Sequence, residues 1–268
     1  GPTARTRSSR RCTATSEGPS AGAVTGHPAG FATIAGMTTF PRATGGPGAA
    51  GPTGGEPQRT VVHLLRHGEV HNPDRVLYGR LPGYHLSELG RHMAELAAEH
   101  LGDHDITHVV SSPLERARET AAPIAQGHEL EITIDDRVIE AGNAFEGLPV
   151  AGGAGLLKHP RLYPKFLNPF RPSWGEPYVE IVERMRLAII DARAAARGHE
   201  AVIVSHQAPI WMIRLATEGR PLWHNPAKRE CSLASLTSLT FLGDELLSLS
   251  YSEPAASLLS QAQPGAGA

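Results

Sequence analysis

Hydrophobic positions along this chain fall into short blocks of two kinds. "TVVHLLRH" (60–67) is β-branched and apolar at nearly every position and stops at Gly68, as a strand buried on both faces does. "ITHVVSS" (106–112), "LEITID" (130–135) and "AVIVSH" (201–206) repeat that texture. "SLASLTSLTF" (232–241) and "ELLSLSY" (245–251) follow as closing strands, joined through Gly243-Asp244. Between these blocks the period lengthens to that of a helix. "SELGRHMAELAAEHLG" (87–102) sets Leu89, Met93, Leu96 and Leu101 near one face, with Ser87 as N-cap and Gly102 beyond the end. "SPLERARETAAPIAQ" (112–126) opens with Ser112 and Glu115 spaced as a capping box and Pro113 at the first helical position. "EPYVEIVERMRLAIIDARAAARG" (176–198) turns Val179, Val182, Met185, Ala188 and Ile189 to the core, and "APIWMIRLATEG" (208–219) is a further helix. Strand and helix alternate. The pattern therefore predicts an α/β fold, a three-layer αβα sandwich around a mainly parallel sheet covered on both faces.

Two stretches lack any such period. Residues 1–58 are rich in Gly, Ala, Pro, Ser and Thr and hold too little apolar surface to offset the entropy of ordering. They are expected to form a disordered, low-complexity extension. One domain follows at 59–253, and 254–268 is expected to be a flexible tail. Inside the domain, 148–176 carries five Pro and four Gly and reads as a long loop or small cap over the body.

Composition narrows the function. The chain is 40% hydrophobic and 19% charged, with a formal net charge of −2. Six arginines face two acids before Thr60, and the remaining 19 Lys and Arg face 25 Asp and Glu. A mildly acidic body argues against a nucleic-acid binder. Two cysteines, Cys12 in the polar tail and Cys231 in the folded part, offer neither a disulfide framework nor zinc-ligand spacing, and fit a reducing, cytoplasmic setting. No run approaches the roughly 18 apolar residues of a membrane span, so no membrane association is expected. Arg10-Arg11 hints at a twin-arginine signal, but no apolar segment follows it, so export is not expected, and Met37 is a candidate start.

In a parallel sheet the site gathers beyond the C-terminal ends of the strands. Three strands end on reactive residues: Arg66-His67-Gly68-Glu69, then Ser111-Ser112 leading to Arg116, then Ser205-His206-Gln207. Parallel packing would bring two histidines and two arginines to one edge. "HLLRHGEVHN" (63–72) also spaces His63, His67 and His71 four residues apart, which on a helix would present metal ligands. Here His63 lies in a strand and Gly68 breaks the chain beyond it, so the helical metal reading loses its geometry. His63 is expected to be a buried sheet histidine. His71 is a loop histidine that either faces solvent or touches substrate. His67 differs from both, lying at a strand end against a glycine that lets the backbone approach a ligand.

"LLRHGEVHN", "SSPLERARETA" and "IVSHQ", in that order, resemble the histidine phosphatase superfamily, the phosphoglycerate-mutase-like fold. The resemblance spans residues 60 to about 210. It implies that His67 is a nucleophile that takes a phosphoryl group, and that Arg66, Arg116 and His206 hold the phosphoryl oxygens. It implies a general acid within "DRVIEAGNAFEG" (136–147), for which Glu140 is the candidate, while Glu146 before Gly147 reads as structural. Asn72, Arg80 and Gln207 are candidate substrate-binding residues. Val70 stands where the family usually has Ser or Thr, and Gln207 where glycine is common. No metal or other cofactor is expected.

The interval from Glu140 to His206 is short, as in the phosphatase branch, so the expected reaction is hydrolysis of a small anionic phosphate ester through a phosphohistidine. Lys158, His159, Arg161, Lys165 and Arg171 would add positive charge over the site, and Phe170, Trp174 and Tyr178 lie beside them. Three alternatives stay open: a phosphoglycerate mutase-type phosphotransferase, a non-catalytic module that binds phosphorylated ligands, and a metallohydrolase using histidines among His63, His67, His71, His104 and His108. The last lacks an acidic ligand at matched spacing.

Overall fold

The computed structural model describes Gly1 and residues 56–149 and 175–263. The expected disordered extension up to residue 55, the loop cations and the aromatics Phe170 and Trp174 lie outside the described residues.

Six strands form one sheet: β1 (Arg59–Arg66), β2 (Ile106–Ser111), β3 (Ile132–Ile134), β4 (Glu200–Ser205), β5 (Leu236–Leu242) and β6 (Glu245–Ser252). Their order is β3-β2-β4-β1-β5-β6. The first four are mutually parallel, and β5 and β6 add to β1 as an antiparallel edge. β1 is buried from its second residue to its last, because its neighbours β4 and β5 and the helices on both faces leave it no route to water. Its side chains alternate. Val62 and Leu64 join a core with α3 (Tyr178–Ala195) and α4 (Gln207–Thr217), while Leu65 joins one with α1 (Glu88–Leu101) and α2 (Glu115–Gly127). These are the three layers of the expected sandwich. Among the described residues no helix is long and apolar enough to cross a membrane.

Local chemistry sets the helix boundaries. Ser87 caps α1, its Oγ accepting from the Gly90 amide at 2.9 Å. The capping box expected at Ser112 does not form. α2 starts at Glu115 after Leu114, with no side-chain cap, because the Ser112 hydroxyl is engaged by His206 at 2.8 Å. In α3, Val182, Met185, Ala188 and Ile189 are buried as expected, but Val179 is exposed and Ile181 takes its place in the core.

The tail expected to be flexible from 254 instead continues into a 3-10 helix, Ala256–Gln261. Ala255 is buried, and Leu258 and Leu259 pack with Met93 and Leu89 of α1. Two leucines and a small buried residue give this segment an apolar face that composition alone did not reveal. The chain is then tied back by the Gln263 amide, which donates to Glu69 Oε1 at 2.7 Å.

Candidate active site

The ends of β1, β2 and β4 lie in register. Arg66 pairs with Ser205, and Ser111 with Val204. Past the strand ends the ladder runs one step further, with the His67 amide donating to Ser205 O at 3.1 Å and the Ser112 amide to Val204 O at 3.0 Å. His67, Ser112 and His206 are thereby fixed by backbone before any side chain acts. Gly68 then lets the chain pass under α1. A Cβ at Gly68 would sit 2.4 Å from the Gly90 carbonyl oxygen, and one at Gly90 would sit 2.0 Å from the Glu69 carbonyl oxygen. Neither glycine can be replaced without moving backbone. The Gly68 amide donates to Thr120 Oγ1 at 3.1 Å, and that hydroxyl donates to the Arg116 carbonyl at 2.7 Å. One threonine therefore links the His67 loop to the helix turn that carries Arg116.

His67 is fully buried. Its Nδ1–H donates to the Gly68 carbonyl at 2.7 Å, which leaves Nε2 with the lone pair and no hydrogen-bond partner among the described residues. Burial, and then the charges of Arg116 and Arg66, hold its pKa well below the usual histidine value, so the ring is neutral. The His206 ring lies 5.1 Å away, centroid to centroid. His206 Nε2 is bonded to Ser112 Oγ, its Nδ1 is unpartnered, and burial followed by Arg116 depresses its pKa in the same way.

Both arginines are anchored at one end and open at the other. Arg116 donates from Nη2 to the Gly79 carbonyl at 2.6 Å and stacks over Tyr78 with its guanidinium carbon 4.6 Å from the ring centre, while Nε and Nη1 have no partner. Arg66 donates from Nη1 to the Cys231 carbonyl at 2.6 Å, and its Nε is unpartnered. Buried guanidinium N–H groups left unpaired are costly, and an anion with several acceptor oxygens satisfies them.

Glu140 is 3% exposed. Its Oε1 accepts from the Ala141 amide at 2.7 Å and its Oε2 is unpartnered. Burial raises its pKa in spite of the Ala141 amide, Arg116, Arg229 and Arg66, which all pull it down. Its backbone is clamped. The Glu140 carbonyl accepts from Arg80 Nε at 2.6 Å and from Arg184 Nη2 at 3.4 Å, and both arginines are held by Glu176. Upstream, the Ser205 hydroxyl donates to the Val138 carbonyl at 2.7 Å, so the end of β4 also fixes the approach to Glu140.

The residues suggested as substrate contacts are placed differently. Asn72 is buried and closes a loop on Val76, accepting from its amide at 3.0 Å and donating to its carbonyl at 2.8 Å. Arg80 is spent on Glu140 and Glu176. Gln207 opens α4 beside the site, with Nε2 3.4 Å from the Cys231 carbonyl and Oε1 3.4 Å from Arg229 Nη1. Glu146 accepts from the amides of Arg80 and Asn143 at 3.1 and 3.2 Å, a structural role as expected. His71 is exposed, and His63 is buried in the sheet.

Sequence reasoning missed Tyr78, Thr120, Arg184 with Glu176, and Arg229. Arg229 lies between His224, whose Nε2 is 2.8 Å from its Nε, and Gln207. Only Thr120 carried a signal, one helical turn beyond Arg116 on the same face.

A family model of the histidine phosphatase superfamily (branch 1) matches residues 62–253. "Uncharacterized protein Rv0525" of Mycobacterium tuberculosis is 53% identical over 200 residues, covering 75% of this chain and 99% of that protein. "Probable phosphoglycerate mutase GpmB" of Serratia proteamaculans is 29% identical over 191 residues, covering 65% of this chain and 82% of that protein. Among solved structures, mycobacterial glucosyl-3-phosphoglycerate phosphatase Rv2419c aligns with a TM-score of 0.57 and 28% identity, over 73% of this chain and 97% of that one. The family match takes in β1 from Val62 onward, the other five strands, the two site histidines and both arginines, and the chain belongs to the histidine phosphatase superfamily.

Proposed function

We propose that this protein hydrolyses small anionic phosphate monoesters through a phosphohistidine at His67. The observation that carries the reading is His67 Nε2: buried, neutral, tautomer-fixed by the Gly68 carbonyl and unpartnered, amid open N–H groups of Arg66 and Arg116. Arg66, Arg116 and His206 Nδ1 bind the phosphoryl oxygens, with the Ser112 hydroxyl donating to His206 Nε2 so that Nδ1 carries the ring proton. His67 Nε2 attacks phosphorus as the ester oxygen leaves, and that oxygen takes the proton of Glu140 Oε2. Water then loses a proton to the Glu140 carboxylate and attacks phospho-His67. Phosphate departs, and both His67 and Glu140 are restored.

Arg229 supports an anionic substrate, because it adds a third cation whose field reaches Glu140 and Arg66. A second anionic group on the substrate, a carboxylate for example, would pair with it. The solved relative named for glucosyl-3-phosphoglycerate is consistent with that class. The resemblance to a probable phosphoglycerate mutase favours a second reading, in which phospho-His67 returns its phosphoryl group to an organic hydroxyl instead of water. Alkaline-quench trapping during turnover of an aryl phosphate in EDTA tests both. Hydrolysis predicts an acid-labile phosphoenzyme in wild type, absent in His67→Ala, with stoichiometric inorganic phosphate. Transfer without phosphate release would favour the mutase reading, and turnover by His67→Ala would exclude both.

A further inference from the structure

A second histidine cluster, built on His63 midway along β1, is not used by the proposed reaction. His63 projects to the α1 side of the sheet. Its Nδ1 lies 2.7 Å from Ser238 Oγ on β5, and its Nε2 lies 2.8 Å from Glu200 Oε2 at the start of β4. His104, in the turn after α1, places Nδ1 2.7 Å from the same Glu200 oxygen. The two rings meet edge to face with centroids 5.4 Å apart. His100 stands behind His104 at 6.0 Å, and these residues line a pocket of about 220 Å³. The ligand-capable atoms of His63, His104 and Glu200 lie within 4.8 Å of one another. The other charged neighbour is Arg59, whose Nη1 is 3.9 Å from the second Glu200 oxygen.

We propose that His63, His104 and Glu200 form a binding site for one divalent transition-metal cation of the zinc class. Two imidazole nitrogens and a carboxylate oxygen are a donor set that suits zinc, cobalt and nickel, and they come here from three separate elements. The orienting partner is also present. With a cation on Nε2, His63 carries its proton on Nδ1 and donates it to Ser238 Oγ. Each ring therefore exchanges the N–H that faces Glu200 for one on its far nitrogen, and neutral rings release no net proton. A tetrahedral cation with bonds of about 2.0–2.1 Å spaces its ligands by about 3.3 Å, so the contacts at 2.7–2.8 Å must open by roughly half an ångström. The Glu200 carboxylate and His104, whose side chain is 35% exposed, can supply that movement, while His63 stays fixed in the sheet. Water in the pocket, or His100, completes the fourth position. The acidic ligand that sequence spacing did not offer comes from Glu200, far along the chain. The site sits four residues back along the chain from His67, outside the phosphoryl pocket, so its role is to clamp the end of α1 to β1, β4 and β5.

The test is titration of the full chain, stripped with EDTA and dialysed, with Co²⁺ and then Zn²⁺. Wild type should bind one Co²⁺ with the intense visible absorption of a tetrahedral site, which Zn²⁺ displaces, and Zn²⁺ should raise Tm. His104→Ala removes a half-buried side chain of a turn and should keep the fold, checked by circular dichroism and aryl phosphatase activity. It should weaken Co²⁺ affinity roughly 100-fold and abolish the Zn²⁺ effect on Tm. Glu200→Gln should behave alike, and His67→Ala should bind Co²⁺ as wild type does. The proposal is overturned if wild type shows no tetrahedral Co²⁺ band, or if folded His104→Ala binds equally well. Neither readout depends on phosphatase turnover.

Discussion

His63 within β1 and His67 just past its end stand four residues apart, both buried, and their surroundings make them different chemical groups. His63 has a partner on each ring nitrogen, one of them a carboxylate. His67 has a backbone carbonyl on one nitrogen, nothing on the other, and two arginines in its field. A histidine bonded on both nitrogens has no free lone pair to offer a substrate. A histidine buried beside arginines is kept neutral and nucleophilic. Sequence position brings each ring to its place along the chain, and the strands that pair with β1 decide what each ring can do.

The largest effect expected from breaking this contrast is on turnover. His67→Ala should lower kcat/KM for an aryl phosphate by about 10⁴-fold or more while the protein stays folded. His63→Ala should leave kcat/KM within a few-fold and instead cost about 1–3 kcal/mol in urea unfolding, because it removes the ring bonded to Ser238 and one of the two histidines on Glu200. If the two variants exchanged effects, the assignment of chemistry to the His67 end would be wrong.

Arg116→Lys comes next. Lysine keeps the charge but loses the planar fork that reaches the Gly79 carbonyl and still leaves two N–H groups open. A fall in kcat/KM of about 10²–10³-fold is expected, with weaker inhibition by vanadate. Unchanged vanadate affinity would place Arg116 outside the phosphoryl pocket.

Much of this was readable before any coordinates. The strand ends at Arg66, Ser111 and Ser205 followed from apolar blocks that stop at polar residues, and the parallel sheet followed from the helices between them. His67, Arg66, Arg116 and His206 were brought to one sheet edge on that basis, Glu140 was implied by the family resemblance, and all five are buried groups with open polar atoms. What sequence could not show depends on pairings between distant segments. Ser112 read as a helix cap because its competitor, His206, is 94 residues away. Asn72 closes a tight loop on Val76, a bond that periodicity does not register. Glu200 read as the start of a strand, and only the β1–β4 register brings it to His63.

Glu140 extends the comparison to pH. Burial raises its pKa, so it holds its proton at pH values where an ordinary glutamate is ionised. As general acid it is active below that raised pKa, and kcat/KM should fall as pH rises through it. His67 must be neutral, and its depressed pKa keeps it so to pH values below the usual histidine range. The acidic limb should therefore lie below pH ~6.5, giving a weakly acidic optimum. Glu140→Gln should remove the alkaline limb and slow alkyl phosphates by about 10²-fold, with a smaller loss for aryl phosphates whose leaving group needs no proton. Equal losses for both substrates would remove Glu140 from the acid role.

The smallest effect discriminates most finely between the two rings. At His67 the Nδ1 partner is the Gly68 carbonyl, part of the backbone and beyond the reach of substitution. At His63 it is the Ser238 hydroxyl, which can be deleted. Ser238→Ala leaves one nitrogen of a buried ring without its partner, and about 1 kcal/mol of stability should be lost in urea unfolding at neutral pH. Turnover should stay within about two-fold, because the β1 backbone, held by β4 and β5 along its length, still delivers His67 to Ser205. A ten-fold loss of kcat in a variant of nearly normal stability would mean that the two sites are coupled through β1. His63 would then belong to the machinery that positions the nucleophile.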